Sequence, residues 1–290
     1  MPIKESELIL NPDGSVYHLN LKPEHIAHTI ILVGDQDRVS KITKYFDSVE
    51  YSIQKREFKT ETGLYKGKRI SVVSTGIGCD NIDIVLNELD ALVNIDFETR
   101  TVKKELTTLN IIRVGTSGSL QKEVPVDSFA ISSYGLDFSG ILHFYEVENF
   151  RNKPFESAFV EHTQWNANKS LPVLMNNSKA LETIFSSEET KSGVTATASG
   201  FYGPQGRILR LNTQDNTLND KIHTFNFEGL KVINYEMETA AIYGLSLLLG
   251  HNALSLNAII ANRATGEFSK DPGKLIDRLI AYALNNILKL

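Results

Sequence analysis

The chain has 290 residues, 41% of them hydrophobic, with 30 basic and 35 acidic side chains for a formal net charge of −5. Such a length accommodates one large α/β unit with a sizeable core, and the mild acidity excludes the basic footprint of a nucleic-acid binder. A lone cysteine, Cys79, excludes an internal disulfide framework and suits a reducing compartment, and no apolar run is long enough to be read as a membrane-spanning helix.

The first ten residues, MPIKESELIL, include acidic side chains and no long apolar stretch, so they do not read as a signal peptide. A cytoplasmic location is expected. Beyond this start, β-rich runs alternate with helical patterns. HTIILVGD (28–35) and RISVVSTGIG (69–78) read as buried strands, and NIDIVLNELDALV (81–93) as a helix. DFETRTVKKELTT (96–108) is charged throughout, which suits a solvated helix or an excursion from the core. LNIIRVGTSG (109–118), VDSFAISSYG (126–135) and KSGVTATASG (191–200) read as strands. METAAIYGLSLLLG (237–250) reads as a helix that Gly250 stops, and ALSLNAIIANR (253–263) as the last strand. KLIDRLIAYALNNILKL (274–290) has apolar pairs at 275/276, 279/280, 283/284 and 287/288, a helical stripe that Asp271-Pro272 would start. This alternation predicts an α/β fold with a mostly parallel sheet. No repeat, low-complexity segment or linker interrupts it, so residues 1–290 are expected to form a single domain.

Ligands of open α/β sheets gather beyond the carboxyl ends of the strands. There, VGDQDRV offers Gly34, where a backbone can approach closely, and Arg38 at the start of a helix. IRVGTSGSL offers Arg113, Gly115, Thr116 and Gly118. Two guanidinium groups, a hydroxyl and exposed amides would cradle an oxyanion, although both GxxxxGK[ST] and GxGxxG are absent. An arginine inside an apolar strand equally suits pairing with a core carboxylate. INYEMETA places Glu236 and Glu238 about Met237 where a helix begins; carboxylates there either complement the helix dipole or clamp two vicinal hydroxyls. GFYGPQGR (200–207), with three glycines and a proline, cannot be a regular helix or central strand. Phe201 or Tyr202 could stack on something planar, Gln205 offers an amide donor and acceptor, and Arg207 a flat fork of donors. These suit a flat ligand with carbonyl and imide edges, or else a surface turn with a solvated arginine. The seven histidines are scattered without metal-ligand spacing, so no metal is expected.

In order along the chain, VYHLNL, GDQDRV, KREF, STGIG, IRVGTSGSL, FYGPQGR, NYEMETA and IIANR resemble the nucleoside phosphorylase-I family and, within it, the uridine phosphorylases. The resemblance spans nearly the whole chain. It implies a three-layer α/β/α sandwich around a mixed, distorted β-barrel-like sheet, and a homodimer or hexamer. It assigns phosphate binding to Gly34, Arg38, Arg113 and Thr116, with Arg56 donated by the neighbouring subunit. Ribose contacts fall to Met237, Glu238, Glu236 at their edge, and His18 across a dimer. Base contacts fall to Gln205, Arg207, the stacking ring Phe201, the wall residues Ile260 and Ala261, and Arg263.

The implied reaction is phosphorolysis of a pyrimidine nucleoside, such as uridine, to free base and ribose 1-phosphate. Phosphate is the co-substrate and no cofactor is needed. Arg207, Gln205, Glu238 and Arg113 would be its catalytic groups. Purine-specific members of the family carry a Ser-Asp pair where this chain has Asn262-Arg263, which favours a pyrimidine. A purine nucleoside phosphorylase or a non-catalytic nucleoside-binding protein are the other readings. The chain departs from the family pattern at Gln36, where Pro is usual, and at Cys79-Asp80-Asn81, where Gly-Pro-Ser is usual. Some bacterial members bind a monovalent cation near positions matching Glu57, Ile77 and Asn81, and Asn81 removes the serine found there.

Overall fold

The apolar run TIILV forms β1 (Thr29–Val33), buried at every position, as β-branched residues in a two-sided sheet should be. The structure, a computed structural model, describes residues 2–290. It divides into two units: the chain up to Ile112 with Leu249–Asn252, and Arg113–Leu248 with Ala253–Leu290.

In the first unit, β1 leads into α1 (Gln36–Thr43), whose N-terminus is capped by Asp35 accepting from the Asp37 amide. β2 (Ser48–Lys55), β3 (Phe58–Tyr65) and β4 (Lys68–Ser74) follow as an antiparallel meander. β4 returns parallel to β1, with Ile30 opposite Ser71 and Val33 opposite Ser74. α2 (Cys79–Asn94) then runs into β5 (Ile95–Asp96), which pairs antiparallel with β6 (Thr101–Val102). The charged segment 96–108 is therefore an excursion and not a helix. Asp96 accepts from the amides of Glu98 and Thr99, at 2.9 Å each, so its side chain closes a turn that competes with helix formation. Arg100 at the tip donates to the carbonyls of Ile3, Lys4 and Leu8 and so ties down the N-terminal arm.

β7 (Asn110–Ser119) ends the first unit and, from Arg113, enters the second. There follow β8 (Phe129–Asp137), α3 (Lys153–Thr163), β9 (Val173–Asn176), α4 (Lys179–Phe185), β10 (Thr190–Thr197) and α5 (Leu218–Thr224). The chain finishes with β11 (Val232–Glu236), α6 (Thr239–Leu249), β12 (Asn252–Asn262), β13 (Glu267–Phe268) and α7 (Pro272–Ile287). Five of these strands close a barrel in the order β7-β11-β10-β8-β12, with β12 pairing back to β7. β10 is parallel to both of its neighbours, whereas β11–β7 and β12–β8 are antiparallel. The fold is thus α/β with a mixed, barrel-like sheet. The mostly parallel sheet drawn from alternation alone is not what forms. A strand buried on both faces reads the same in either direction, and only the closure of the barrel sets the direction of β7 and β12.

Helix punctuation follows the sequence. Gly250, at φ 77°, follows α6, and Asp271 caps α7 by accepting from Lys274 N ahead of Pro272. Phe155, Phe159 and Phe225 pack with Leu136, Val194 and Tyr235 into the core between α3, α5 and the barrel. No helix among the described residues is long and apolar enough to cross a membrane.

Candidate active site

In the second unit, the side chain of Arg113 runs along its own strand to Gly115 and is only 6% exposed. A Cβ on Gly115 would lie 2.5 Å from its Cζ and 2.9 Å from Nη2, so only glycine leaves room for the guanidinium. Nη2 donates to Glu238 Oε2 at 2.5 Å and lies 3.3 Å from Glu236 Oε2, while Nη1 donates to Asn257 Oδ1 at 2.8 Å. Burial alone would weaken this base, but the two carboxylates outweigh it and hold the Arg113 pKa above its ordinary value. Burial pushes the Glu236 carboxyl up, against the pull of Arg113.

Glu236 also serves the structural role open to it in the sequence. Its Oε2 accepts from the amides of Glu238 and Thr239 at the start of α6, at 2.9 Å each, and Oε1 accepts from the Thr197 hydroxyl at 2.7 Å. Met237 is half-buried between the two glutamates, and Thr116 is half-buried two residues beyond Gly115's neighbour Val114 on β7.

The 201–207 loop closes on itself. Gly203–Gln205 form a 3-10 turn, and the Arg207 amide donates to the Tyr202 carbonyl at 2.8 Å. Gly206 takes φ 71°, and a Cβ there would meet Asn219 Cγ at 2.9 Å. Gln205 is 3% exposed. Its Oε1 accepts from Arg207 Nη1 at 2.7 Å and from Arg263 Nη2 at 2.9 Å. Its main-chain carbonyl accepts from Asn219 Nδ2 at 3.1 Å and from Arg263 Nη1. The amide oxygen of Gln205, the acceptor that the sequence offered, is thus already engaged by two guanidinium groups.

Arg207 lies with Cζ 3.7 Å from the centre of the Phe201 ring, so the expected stacking face is covered by a guanidinium. Burial holds the Arg207 pKa below its usual value. Burial, with the Arg207 charge added, pushes Arg263 down to about 10. Arg263 also sits 5.1 Å from the Tyr235 ring centre. Two guanidinium groups sharing one amide oxygen leave a locally positive site without a carboxylate among its direct partners. Ile260 and Ala261 are half-buried on β12, where Ala261 pairs with Phe268. Asn262 is 1% exposed and engaged wholly by main chain: it donates to Gln121 and Val124 carbonyls and accepts from the Ala264 and Thr265 amides.

In the first unit, Gly34 follows β1 and Arg38 lies in the first turn of α1. Arg56 occupies the β2–β3 turn at φ 56°, uncommon for a side-chain-bearing residue. Gln36 Nε2 donates to its carbonyl at 2.7 Å. The Arg56 guanidinium is 5.9 Å from the Tyr17 ring, which in turn meets His18 edge-on at 4.9 Å. His18 Nδ1 lies 2.6 Å from Glu88 Oε1, and Glu88 also accepts from the His18 and Leu19 amides. A carboxylate against Nδ1 favours the tautomer that carries its proton there. A Cβ on Gly76, at φ 70°, would meet Asn81 Nδ2 at 2.5 Å and Glu57 Cγ at 3.0 Å. No cluster of three or more His, Cys, Asp or Glu suited to a metal occurs among the described residues.

The structure therefore gathers Gln205, Arg207, Phe201 and Arg263 in one cluster, Arg113, Glu236 and Glu238 in a second, and His18 with Arg56 in a third. Asn219, Glu88 and Asn257 escape the sequence patterns. Of these, only Asn257, a polar residue inside the apolar run ALSLNAII, leaves a visible signal.

The phosphorylase superfamily profile matches residues 28–284. A uridine phosphorylase of Thermococcus kodakarensis is 30% identical over 264 residues, covering 89% of this chain and 81% of that protein. A DeoD-type purine nucleoside phosphorylase of Clostridium perfringens is 29% identical over 253 residues, covering 86% and 88%. A solved nucleoside phosphorylase of Trypanosoma brucei, described as showing uridine phosphorylase activity, superposes with a TM-score of 0.88 at 28% identity and covers 98% of this chain and 100% of that one. The chain belongs to the phosphorylase superfamily and, within it, to the nucleoside phosphorylases, which are pentosyltransferases acting on a nucleoside and phosphate.

Proposed function

We propose that this enzyme catalyses the phosphorolysis of uridine to uracil and ribose 1-phosphate. The observation that carries the pyrimidine assignment is the pair of arginines, Arg207 and Arg263, held on the buried amide oxygen of Gln205. A phosphate oxygen attacks C1′, the C1′–N1 bond breaks, and its electrons leave with the base. Negative charge then develops on the base carbonyls, where two guanidinium groups and the Gln205 amide nitrogen supply donors. Such donors stabilise developing charge without a general acid, and an anion beside the two charged guanidinium groups offsets the desolvation that lowers both of their pKa values. A base stacking on the face of Phe201 that Arg207 covers would displace the guanidinium.

In this proposal Gly34, Arg38, Arg56, Arg113 and Thr116 bind phosphate; His18, Glu236, Met237 and Glu238 bind ribose; Ile260 and Ala261 wall the base. Arg113 has five N–H donors, more than its glutamate and asparagine partners engage. No cofactor takes part. The enzyme self-associates, with Arg56 and His18 donated to the neighbouring subunit, and serves cytoplasmic nucleoside salvage; a monomer of full activity in sedimentation would refute the shared arrangement. The likeness to a purine nucleoside phosphorylase makes inosine the competing substrate. A panel of uridine, thymidine, cytidine and inosine, assayed with and without phosphate, tests both points. Uridine turnover that depends on phosphate is expected. Base release independent of phosphate, or a preference for inosine, would overturn the assignment.

A further inference from the structure

Each of the five barrel strands contributes a buried polar side chain to one hydrogen-bonded belt. Arg113 Nη1 (β7) donates to Asn257 Oδ1 (β12) at 2.8 Å, and Asn257 Nδ2 makes long contacts of 3.4 Å to Ser132 Oγ (β8) and Ser255 Oγ. The Ser132 and Thr195 hydroxyls (β8, β10) are 2.5 Å apart, Thr195 donates to Asn234 Oδ1 (β11) at 2.7 Å, and Asn234 Nδ2 donates to Ser117 Oγ (β7) at 2.8 Å. Ser132, Thr195, Asn234 and Asn257 are fully buried. Burying them costs stability unless every link is made.

The belt has one direction. A guanidinium has no acceptor, so Asn257 must present its oxygen to Arg113 and its nitrogen to the serines. Thr195 gives its proton to Asn234, which leaves Ser132 to donate to Thr195 and accept from Asn257. The amide of Asn257 cannot flip without breaking the sequence. On the opposite side, the absent side chain of Gly115 admits the guanidinium, and Glu238 holds Nη2.

We propose that Asn257 is a positioning residue that orients Arg113 for phosphate, its own amide fixed by the belt that closes the barrel. The proposal rests on the assignment of Arg113 to phosphate binding. It adds a residue that touches no substrate and acts through another side chain.

The test is steady-state kinetics with phosphate and nucleoside varied separately, on Asn257→Leu, Asn257→Asp, Arg113→Ala and wild type, with melting curves. Asn257→Leu keeps the volume but removes the acceptor; its phosphate KM should rise about tenfold or more, the scale of a lost hydrogen bond to a charged group, with nucleoside KM within about twofold. In Asn257→Asp a protonated carboxyl accepts from Arg113 and donates to Ser132 as the amide does, whereas the ionised form still accepts from Arg113 but has no proton for Ser132 and draws the guanidinium onto itself with a full negative charge. Its phosphate KM should therefore be near wild type at low pH and climb through a new ionisation as pH rises, a signature that a purely structural role would not give and that survives if the leucine variant fails to fold. If Arg113→Ala weakens phosphate while folded Asn257→Leu leaves phosphate KM unchanged, or raises both KM values alike, the positioning role is wrong. A phosphate KM in Asn257→Asp that stays at the wild-type value across the pH range would also refute it. If Arg113→Ala itself leaves phosphate KM unchanged, the phosphate assignment is what has failed.

Discussion

Replacing Gly115 by alanine inserts one methyl group where the Arg113 guanidinium lies. The new carbon would sit 2.5 Å from Cζ and 2.9 Å from Nη2, distances no real side chain tolerates, and the backbone there needs no glycine-only φ. The strain therefore falls on the guanidinium, which must withdraw from Glu238, Glu236 and Asn257. Separating a buried charge from its partners costs about 3–5 kcal/mol. At roughly 2–4 °C per kcal/mol, that lowers Tm by about 6–20 °C. Thermal or urea unfolding of Gly115→Ala, Arg113→Met and the double variant measures it as a cycle. Removing Arg113 abolishes the clash, so Gly115→Ala should add little in that background, with a coupling of about 2 kcal/mol or more. Phosphate KM should rise in Gly115→Ala as well. If Gly115→Ala melts within about 2 °C of the parent, or costs as much in the Arg113→Met background, the steric account is refuted.

Arg207→Ala removes one of the two charges on Gln205 and should lower kcat on uridine by about 10²–10³-fold, the scale of losing one donor to a developing anion, with Tm near the parent; an unchanged kcat would remove this arginine from the chemistry. Asp215 is held at a pKa of about 2, first by its hydrogen bond from Lys221 and then by Thr217, below the ordinary 3.8. A depressed carboxyl pKa adds stability that is complete above about pH 3.8 and disappears as pH falls through about 2. Asp215→Asn should therefore melt lower than the parent at neutral pH and converge with it near pH 2, and a gap in Tm that persists at pH 2 would show another cause.

Much of the architecture is local enough to be legible in the chain. All six strands marked by apolar runs form, as do the three helices marked by their stripes and stops, because burial on two faces or along one stripe leaves a periodic trace. β2, with its exposed and half-buried positions, and the short elements α4 and β9 leave little trace of that kind. The candidate site motifs around Arg113, Glu238, Gln205 and Arg207 are also visible, since glycine-broken loops and charges at strand ends are anomalies in a core-forming sequence. Which partner each charge takes is a different matter. Arg263 and Gln205 are 58 positions apart, and Arg113 and Asn257 are 144 apart. Hydrogen bonds across such separations depend on strand direction and barrel closure, which no short window of residues contains. Tertiary structure alone decided that the Gln205 oxygen is already taken, that Arg207 covers Phe201, and that Gly115 and Asn257 flank the Arg113 guanidinium.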